Sequence, residues 1–157
     1  MKICCFAGHS SIFGKKDLSA KLKKEIVNLI ENHNVTTFYN GGKGDFDWLC
    51  AKTIQELKKE YSSIKSHCIL SYMPKEKDEF DSTLEIFDGT IYPDIENVPP
   101  RFAIIKRNEW MIKNSDFLIA YVENHFGGAY KTLQYAERRK NIKIINLVAE
   151  KSEYESF

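Results

Sequence analysis

The residue types that could do chemistry in this chain are concentrated at a glycine-rich turn. Gly41, Gly42 and Gly44 follow a short apolar run at 36–39 and directly precede a helical pattern. A strand, a glycine-rich turn and a helix start, in that order, present backbone N–H groups to an anion, and glycine lets a phosphate approach closely. Asp45, in the first helical turn, could accept hydrogen bonds from ribose hydroxyls. A tight turn with an ordinary helix cap gives the same pattern, so this segment alone leaves both interpretations open.

Two further loops carry chemistry of the same kind. The segment 8–10, Gly-His-Ser, follows the first apolar run, and a histidine there could contact a phosphate or transfer a proton near neutral pH. Gly127 and Gly128 open a later helical pattern, whose first turns contain Thr132. That arrangement predicts a second anion-binding helix N-terminus.

The elements that must position these loops alternate between strands and helices. Apolar runs of strand length predict five β-strands, at 2–7, 35–39, 66–72, 116–122 and 142–148. Apolar residues at helical spacing predict four helices between them, at 17–32, 45–61, 101–114 and 129–140. This regular alternation favours a parallel sheet with right-handed crossovers.

The predicted fold class is α/β, a Rossmann-like three-layer fold with a mainly parallel five-stranded sheet in the order 3-2-1-4-5. The two most apolar strands, at 2–7 and 116–122, are expected to be central neighbours. Ligands of such sheets bind beyond the strand C-termini where the strand order reverses, here between the first and fourth strands. The loops after strands one, two and four converge there, which favours an anion or nucleotide site over a simple tight turn.

One nucleotide-binding domain is predicted over residues 1–150, with a polar tail at 151–157. Residues 73–100 interrupt the alternation with clustered charges and all four prolines of the chain. Within this excursion, the Asp88-Gly89 pair lies between two apolar dipeptides and predicts a short hairpin. A loop this long is often a functional lid, and a decorated sheet edge is equally allowed.

Composition argues against several classes of function. With 23 basic and 22 acidic residues the formal net charge is +1, so no long-range field favours nucleic acid or a membrane surface. No apolar run approaches the roughly 20 residues of a membrane span, and a cytoplasmic location is expected. The four cysteines and four histidines lack metal-site spacing, so no metal ligands are predicted, and adjacent Cys4 and Cys5 should point to opposite faces of a strand. The sequence leaves open a magnesium ion that enters with a polyphosphate ligand.

Four segments of the chain carry a resemblance to a known superfamily. They are FAGHS at 6–10, YNGGKGDFDWLCA at 39–51, FAIIKRNEWMIKNSDFLIAYV at 102–122 and GGAYKTLQYA at 127–136. Together they resemble the LOG-like (SMF/DprA–LOG, SLOG) Rossmann superfamily, which includes cytokinin-activating phosphoribohydrolases, and within it the uncharacterised branch of short bacterial proteins. The resemblance implies the three-layer fold and a homodimer.

The resemblance also assigns roles to individual residues. In the phosphoribohydrolases an arginine in an R-K-x-x-M segment and a glutamate in PGGxGTxxE act on a nucleoside monophosphate. The segment that begins at Arg107, RNEWM, is similar to the first motif, which implies that Arg107 faces a ligand. The segment 127–132 departs from the second motif, because it lacks the preceding proline and has one more residue before its threonine. The glutamate position falls on Gln134 or Tyr135, neither of which is a carboxylate.

The leading hypothesis is therefore a protein that binds a nucleotide or nucleotide-derived metabolite, as a sensor or carrier. The alternative is a nucleoside 5′-monophosphate N-glycosidase, with Arg107 and Asp45 as the candidate catalytic residues. Asp47 is interpreted only as a first-turn acid of its helix. Tyr92, Tyr130 and Tyr135 are expected near the mouth of the site, where they could stack on a base. The predicted ligand-binding residues are Gly8, His9, Ser10, Gly41, Gly42, Gly44, Asp45, Arg107, Gly127, Gly128 and Thr132. The expected partners are a small phosphate ligand and a second copy of the chain, and neither nucleic acid nor a membrane is expected.

Overall fold

The computed structural model describes residues 1–73 and 82–148 and has an α/β architecture. The strands of the described part are β1 (Lys2–Gly8), β2 (Val35–Asn40), β3 (Lys65–Ile69), β4 (Gly89–Ile91), β5 (Phe117–Tyr121) and β6 (Lys143–Asn146). The α-helices are α1 (Leu18–Asn32), α2 (Gly44–Leu57), α3 (Ala103–Lys113) and α4 (Gly128–Glu137). Two short 3₁₀ segments, Ser82–Ile86 and Pro100–Phe102, precede β4 and α3. The polar tail predicted at 151–157 lies outside the described residues.

Within these residues the strands form one parallel sheet in the order β4-β3-β2-β1-β5-β6. The prediction of a parallel Rossmann-like sheet is confirmed, and the five predicted strands keep their predicted order. The prediction of a five-stranded sheet is wrong, because β4 inside the 73–100 excursion adds a sixth strand. β4 has only three residues, and a run that short and glycine-led cannot be distinguished from a loop by periodicity.

The hairpin predicted at Asp88-Gly89 is also wrong, because Ile86 ends a 3₁₀ segment and Gly89 begins β4, which pairs in parallel with β3. Asp88 joins the two strands instead. Its carboxylate accepts a hydrogen bond from the Ser66 backbone N–H at 2.8 Å, and its own N–H donates to the Ser66 carbonyl at 2.8 Å. Lys58 from the end of α2 adds an ion pair to the same carboxylate. These contacts fix the start of β4 at the sheet edge.

The core lies on both faces of the sheet, which is why β1 and β5 are almost continuously apolar. On one face, Cys4 and Phe6 pack with the buried sides of α1 and α2. On the other, Cys5 and Ala7 pack with α3 and α4. Adjacent Cys4 and Cys5 thus face opposite layers, as predicted. The described helices include none that is both long and apolar enough to cross a membrane.

The centre of the sheet is the point where the chain order reverses. β1 pairs with β2 on one side and with β5 on the other, so the loops after β1 and β5 leave the sheet next to each other. Parallel strands place all their C-terminal ends at one edge. The loop that leads into α4 therefore meets the loop after β1 at this edge.

Candidate functional site

A cavity of about 590 Å³ opens at the C-terminal ends of β1 and β5. Its walls are formed by the loop after β1, the start of α2, the inner side of α3, the loop after β5 and the first turns of α4. A cavity of this size is in the usual range for a small-molecule ligand. The edge of the sheet where it lies is the one predicted from the sequence.

The structure brings seven of the predicted ligand-binding residues together around this cavity. They are Gly8, His9, Ser10, Arg107, Gly127, Gly128 and Thr132. The other four, Gly41, Gly42, Gly44 and Asp45, do not line it. The two groups differ in how they pack.

The turn of Gly41, Gly42 and Gly44 is closed by its own neighbours. A Cβ at Gly41 would lie 3.0 Å from the guanidinium carbon of Arg107, and one at Gly42 would lie 2.9 Å from the sulfur of Cys68. Gly44 has a φ of +89°, and a Cβ there would lie 2.7 Å from the Ser10 Cα atom. Glycine is therefore required here for close packing between loops and for a left-handed backbone.

Asp45 lies on the outer side of this turn and is exposed. One of its carboxylate oxygens accepts a hydrogen bond from the Ile12 backbone N–H at 3.3 Å. It borders a separate shallow hollow with Trp48 and Lys52. Its contact orders the loop after β1, and its side chain is separated from the main cavity.

Arg107, on α3, is buried with only 3% of its surface exposed. Its Nη1 donates to the carbonyl oxygens of Gly41 at 2.8 Å and Ile69 at 2.9 Å. The guanidinium thereby joins α3 to the ends of β2 and β3. Its Nη2 has no hydrogen-bond acceptor among the described residues. Nη2 is nevertheless not completely enclosed by protein atoms. One edge of the guanidinium is thus used by the fold, and the other is available to the cavity that Arg107 lines.

A chain of hydrogen bonds runs from Arg107 to α4 along the cavity. Arg107 Nε donates to the Asn108 side-chain oxygen at 2.8 Å, and Asn108 Nδ2 donates to Thr132 Oγ1 at 3.2 Å. Thr132 Oγ1 in turn donates to the Gly128 carbonyl at 3.0 Å. Polar groups that hold one another in this way have little freedom to move, so the polar wall is ordered without a ligand.

The first turn of α4 faces open space in the cavity. A Cβ at either Gly127 or Gly128 would meet no atom within 4 Å, and Gly127 has a φ of +93°. The first N–H groups of a helix have no intrahelical acceptor and carry the positive end of the helix dipole. This turn therefore has both the exposed donors and the room for an anion.

Asp47 is a cavity residue that the sequence interpretation missed. It lines the cavity with 8% of its surface exposed, and its Oδ2 accepts the Lys43 backbone N–H at 3.1 Å. Burial raises the pKa of its carboxyl to about 6, against the lowering effects of the Lys43 N–H and the Arg107 charge. A signal was present in the sequence: Asp47 shares one helical face with Cys50, Ala51 and Ile54, all buried.

Solved structures give an independent measure of the fold. No protein-family model matches the chain, and no curated protein matches it in sequence. The structural genomics target TM1055 is 14% identical, with a TM-score of 0.57 over 91% of this chain and 77% of that chain. DNA processing protein A (DprA) from Streptococcus pneumoniae is 12% identical, with a TM-score of 0.63 over 92% of this chain. The chain spans 49% of that DprA chain.

DprA from Helicobacter pylori, whose structure concerns its single-stranded DNA binding mode, is 15% identical, with a TM-score of 0.60 over 98% of this chain and 73% of that chain. The chain therefore shares its Rossmann-like fold with these three proteins. The resemblance found in the sequence is thus confirmed at the level of the fold, which is what identities of this size support.

In this fold, the positions that the resemblance assigns to a glutamate lie away from the cavity. Gln134 and Tyr135 border a shallow hollow between α3 and α4, together with Glu109 and Arg138. Tyr130 packs edge-on against His125 at 5.6 Å between ring centres. No carboxylate of α4 lines the cavity.

His9 organises the mouth of the cavity. Its Nε2 accepts hydrogen bonds from the backbone N–H groups of Glu123 at 2.8 Å and Asn124 at 3.4 Å, so Nδ1 is the nitrogen that can donate. The Glu123 carboxylate accepts from the Tyr121 hydroxyl at 2.8 Å, and this bond, with help from Lys15, holds the pKa of Glu123 below its usual value. Lys15 pairs with Glu123 at 3.2 Å across the rim. These contacts connect the loops after β1 and β5.

The apolar part of the mouth comes from Phe126 and Ile104. Both line the cavity, yet 73% of Phe126 and 39% of Ile104 remain exposed. An exposed aromatic ring beside a polar cavity is a surface on which a planar ligand group can stack. Of the tyrosines predicted for this role, Tyr92 instead follows β4 at the far edge of the sheet.

Proposed function

We propose that the protein binds a nucleotide or nucleotide-derived metabolite in this cavity, with a phosphate at the first turn of α4. The observation that carries the proposal is the open turn of Gly127 and Gly128, beside two buried charged side chains that line the same cavity. A helix N-terminus alone is common in proteins. Two buried charged side chains beside such a turn, here Arg107 and Asp47, are uncommon. Charged groups are rarely buried unless they are paired or belong to a functional site.

The charges around the cavity favour an anion at one end. The α4 N-terminus, Arg107 and Lys43 supply positive charge or donors. Glu123 is neutralised by Lys15 at the rim, whereas Asp47 keeps its negative charge above about pH 6. A ligand with a phosphate at one end and uncharged hydroxyl or amino groups at the other fits this arrangement.

A base would lie at the mouth, on Phe126. Base stacking on an aromatic ring is worth about 1 to 3 kcal/mol and accepts any base. The phosphate turn would then fix the position of the ligand, and the apolar rim would hold its planar part. A sensor or carrier role needs no more than this selective binding.

Calorimetric titration with AMP, ADP, ATP, NAD and ADP-ribose tests the proposal. A separate titration with a single-stranded DNA oligonucleotide tests for nucleic-acid binding. Gly128→Asp places a carboxylate in the open turn without a steric clash, and an acid at a helix start does not weaken the helix. We expect this variant to lose at least about tenfold in affinity through repulsion of the phosphate.

Gln134→Glu is the matched control. It adds one carboxylate to the same helix outside the cavity and should change affinity by less than about threefold. A folded protein that binds no member of the nucleotide panel would refute the proposal. Binding of the oligonucleotide alone would replace it with a nucleic-acid function, like that in the name of the Helicobacter DprA structure.

One observation favours the second candidate, hydrolysis of an N-glycosidic bond. Asp47 is a buried carboxyl with a pKa of about 6 on the cavity wall, and such a group can exchange protons near neutral pH. It would take the role given above to Asp45. Chromatography of nucleoside 5′-monophosphates incubated with the protein measures it: released base supports the candidate, and unchanged nucleotide counts against it. The homodimer and the cytoplasmic location stay predictions.

A further inference from the structure

The second oxygen of Asp47 is an unused acceptor among the described residues of the cavity wall. Oδ2 accepts the Lys43 N–H, whereas Oδ1 has no hydrogen-bond donor among the described residues. Asp47 also forms no ion pair with any described residue, although Arg107 is close enough to attract it. A buried carboxylate is unfavourable unless hydrogen bonds or opposite charges compensate it.

The groups around Asp47 do not offer the missing donor. Arg107 on α3 lies near enough to interact electrostatically with Asp47, and so do the thiols of Cys5 on β1, Cys50 on α2 and Cys68 on β3. Burial raises the pKa of each of these thiols above its usual value, so they stay neutral. Thiols are weak donors, and none of the three donates to Asp47 in this structure.

A purely structural role would leave this second oxygen unexplained. Accepting the Lys43 N–H requires one oxygen only, which a neutral asparagine also supplies. The carboxylate therefore has a spare acceptor and a full negative charge on the wall of a cavity. A ligand group that meets it must be a donor, and it cannot be a phosphate because the two charges repel.

In a nucleotide seated as proposed above, the sugar is the part that can supply such donors. The phosphate lies at the open turn of α4 and the base at Phe126, and the ribose connects the two. Its 2′ and 3′ hydroxyls can each donate one hydrogen bond. Acidic residues recognise ribose hydroxyls in the same way at the dinucleotide sites of related doubly wound sheets.

We infer that Asp47 accepts hydrogen bonds from the ribose hydroxyls, so that the cavity selects ribonucleotides over deoxyribonucleotides. This inference rests on the proposed binding of a nucleotide. A hydrogen bond to a charged acceptor changes affinity by about 10- to 100-fold, and a site that reads a hydroxyl rejects the ligand that lacks it.

The test compares ADP with 2′-deoxy-ADP and 3′-deoxy-ADP by calorimetry at pH 7.5. The wild-type protein should bind ADP about 10- to 100-fold more tightly than at least one deoxy analogue. Asp47→Asn, which keeps an acceptor for the Lys43 N–H, should reduce that ratio to below about threefold. Glu56→Gln removes one negative charge from the exposed side of the same helix and should leave the ratio unchanged.

The possible outcomes separate a failure of nucleotide binding from a failure of ribose recognition. If none of the three nucleotides nor any other member of the panel binds, the proposed function fails. If the wild-type protein binds ADP and both deoxy analogues equally, nucleotide binding stands and the ribose inference is wrong. If a ribose preference exists but survives Asp47→Asn in a protein that is still folded at pH 7.5, another residue reads the sugar and Asp47 does not.

Discussion

The chain has two glycine turns at helix starts, and they serve different purposes. The turn before α2 is filled, because a Cβ on its glycines would collide with neighbouring residues. The colliding pairs would be Gly41 with Arg107, Gly42 with Cys68 and Gly44 with Ser10. In the turn before α4, a Cβ on either glycine would meet only open space. In the turn before α2, glycine allows three loops to pack closely together. In the turn before α4, glycine leaves space at the cavity wall.

The difference shows that glycine spacing does not by itself identify a binding turn. Both turns have a strand before them and a helix after them, and the turn before α2 has the richer glycine pattern. What separates them is the long-range packing: Arg107 and Ser10, which close the first turn, are distant from it in sequence. The turn with the weaker sequence pattern is the one that opens into the cavity.

The largest expected effect is on stability at the filled turn. Gly44→Ala would force a side chain into a left-handed backbone and against the Ser10 Cα atom. Strain and overpacking each cost about 1 to 3 kcal/mol, so we expect a loss of about 2 to 6 kcal/mol in the free energy of unfolding. Urea denaturation followed by circular dichroism measures it.

Gly128→Ala is the matched variant at the open turn. It should change the free energy of unfolding by less than about 1 kcal/mol, since alanine is a better helix former than glycine and its Cβ meets no neighbour. Equal destabilisation by the two substitutions would remove the distinction between the turns.

An intermediate effect is expected from Asp47→Asn, and it depends on pH. Folding raises the pKa of this carboxyl from 3.8 to about 6, so between these values the folded protein holds a proton that the unfolded chain has lost. The free energy of unfolding therefore falls as pH rises from about 4 to about 6, by up to about 3 kcal/mol, and this contribution stays constant outside that window.

The asparagine variant lacks this loss, so it should be more stable than the wild-type protein above pH 6 and close to it below pH 4. Denaturation midpoints at pH 4, 5, 6 and 7.5 measure the difference. A variant that is less stable than the wild-type protein at pH 7.5 would contradict the interpretation. A residue that costs stability and is nevertheless present is typical of a functional site.

The smallest effect is expected at Asp45. Asp45→Asn weakens one exposed hydrogen bond to Ile12 at the edge of the filled turn, which should reduce the free energy of unfolding by about 0.5 to 1 kcal/mol. Ligand affinity should stay within about twofold of wild type, because Asp45 is outside the cavity. Calorimetry with ADP checks this, and a tenfold loss would return Asp45 to the site.

The order of the elements could be predicted because it depends on short-range patterns. Apolar runs such as the one in β5 and the helical spacing in α1 are present in consecutive residues, and the parallel topology follows from their alternation. The strand β4 could not be found, because three residues contain no measurable period. Its pairing with β3 depends on the Asp88 contacts with Ser66, 22 positions away.

The site could be predicted only in part, for the same reason. The convergence of three loops follows from the topology, and the role of Arg107 was inferred from a resemblance. Its carbonyl partners, Gly41 and Ile69, are 66 and 38 positions away, and no local pattern indicates them. Asp47 could have been found, because its helical face is apolar on either side. Asp47 is a charged residue on an otherwise apolar, buried helix face, and its interpretation as a first-turn acid does not account for that position.

The contacts of Asp88 also have a consequence for how this chain can vary among relatives. Because hydrogen bonds join Ser66 to Asp88, the connection between β3 and β4 begins and ends at fixed points of the sheet, and its length can change with little change in loop-closure entropy, about 0.6 kcal/mol for each doubling. Both β3 and β4 lie on the opposite side of β2 from the cavity strands β1 and β5. Relatives could therefore differ greatly in length at this position and still share the same binding cavity.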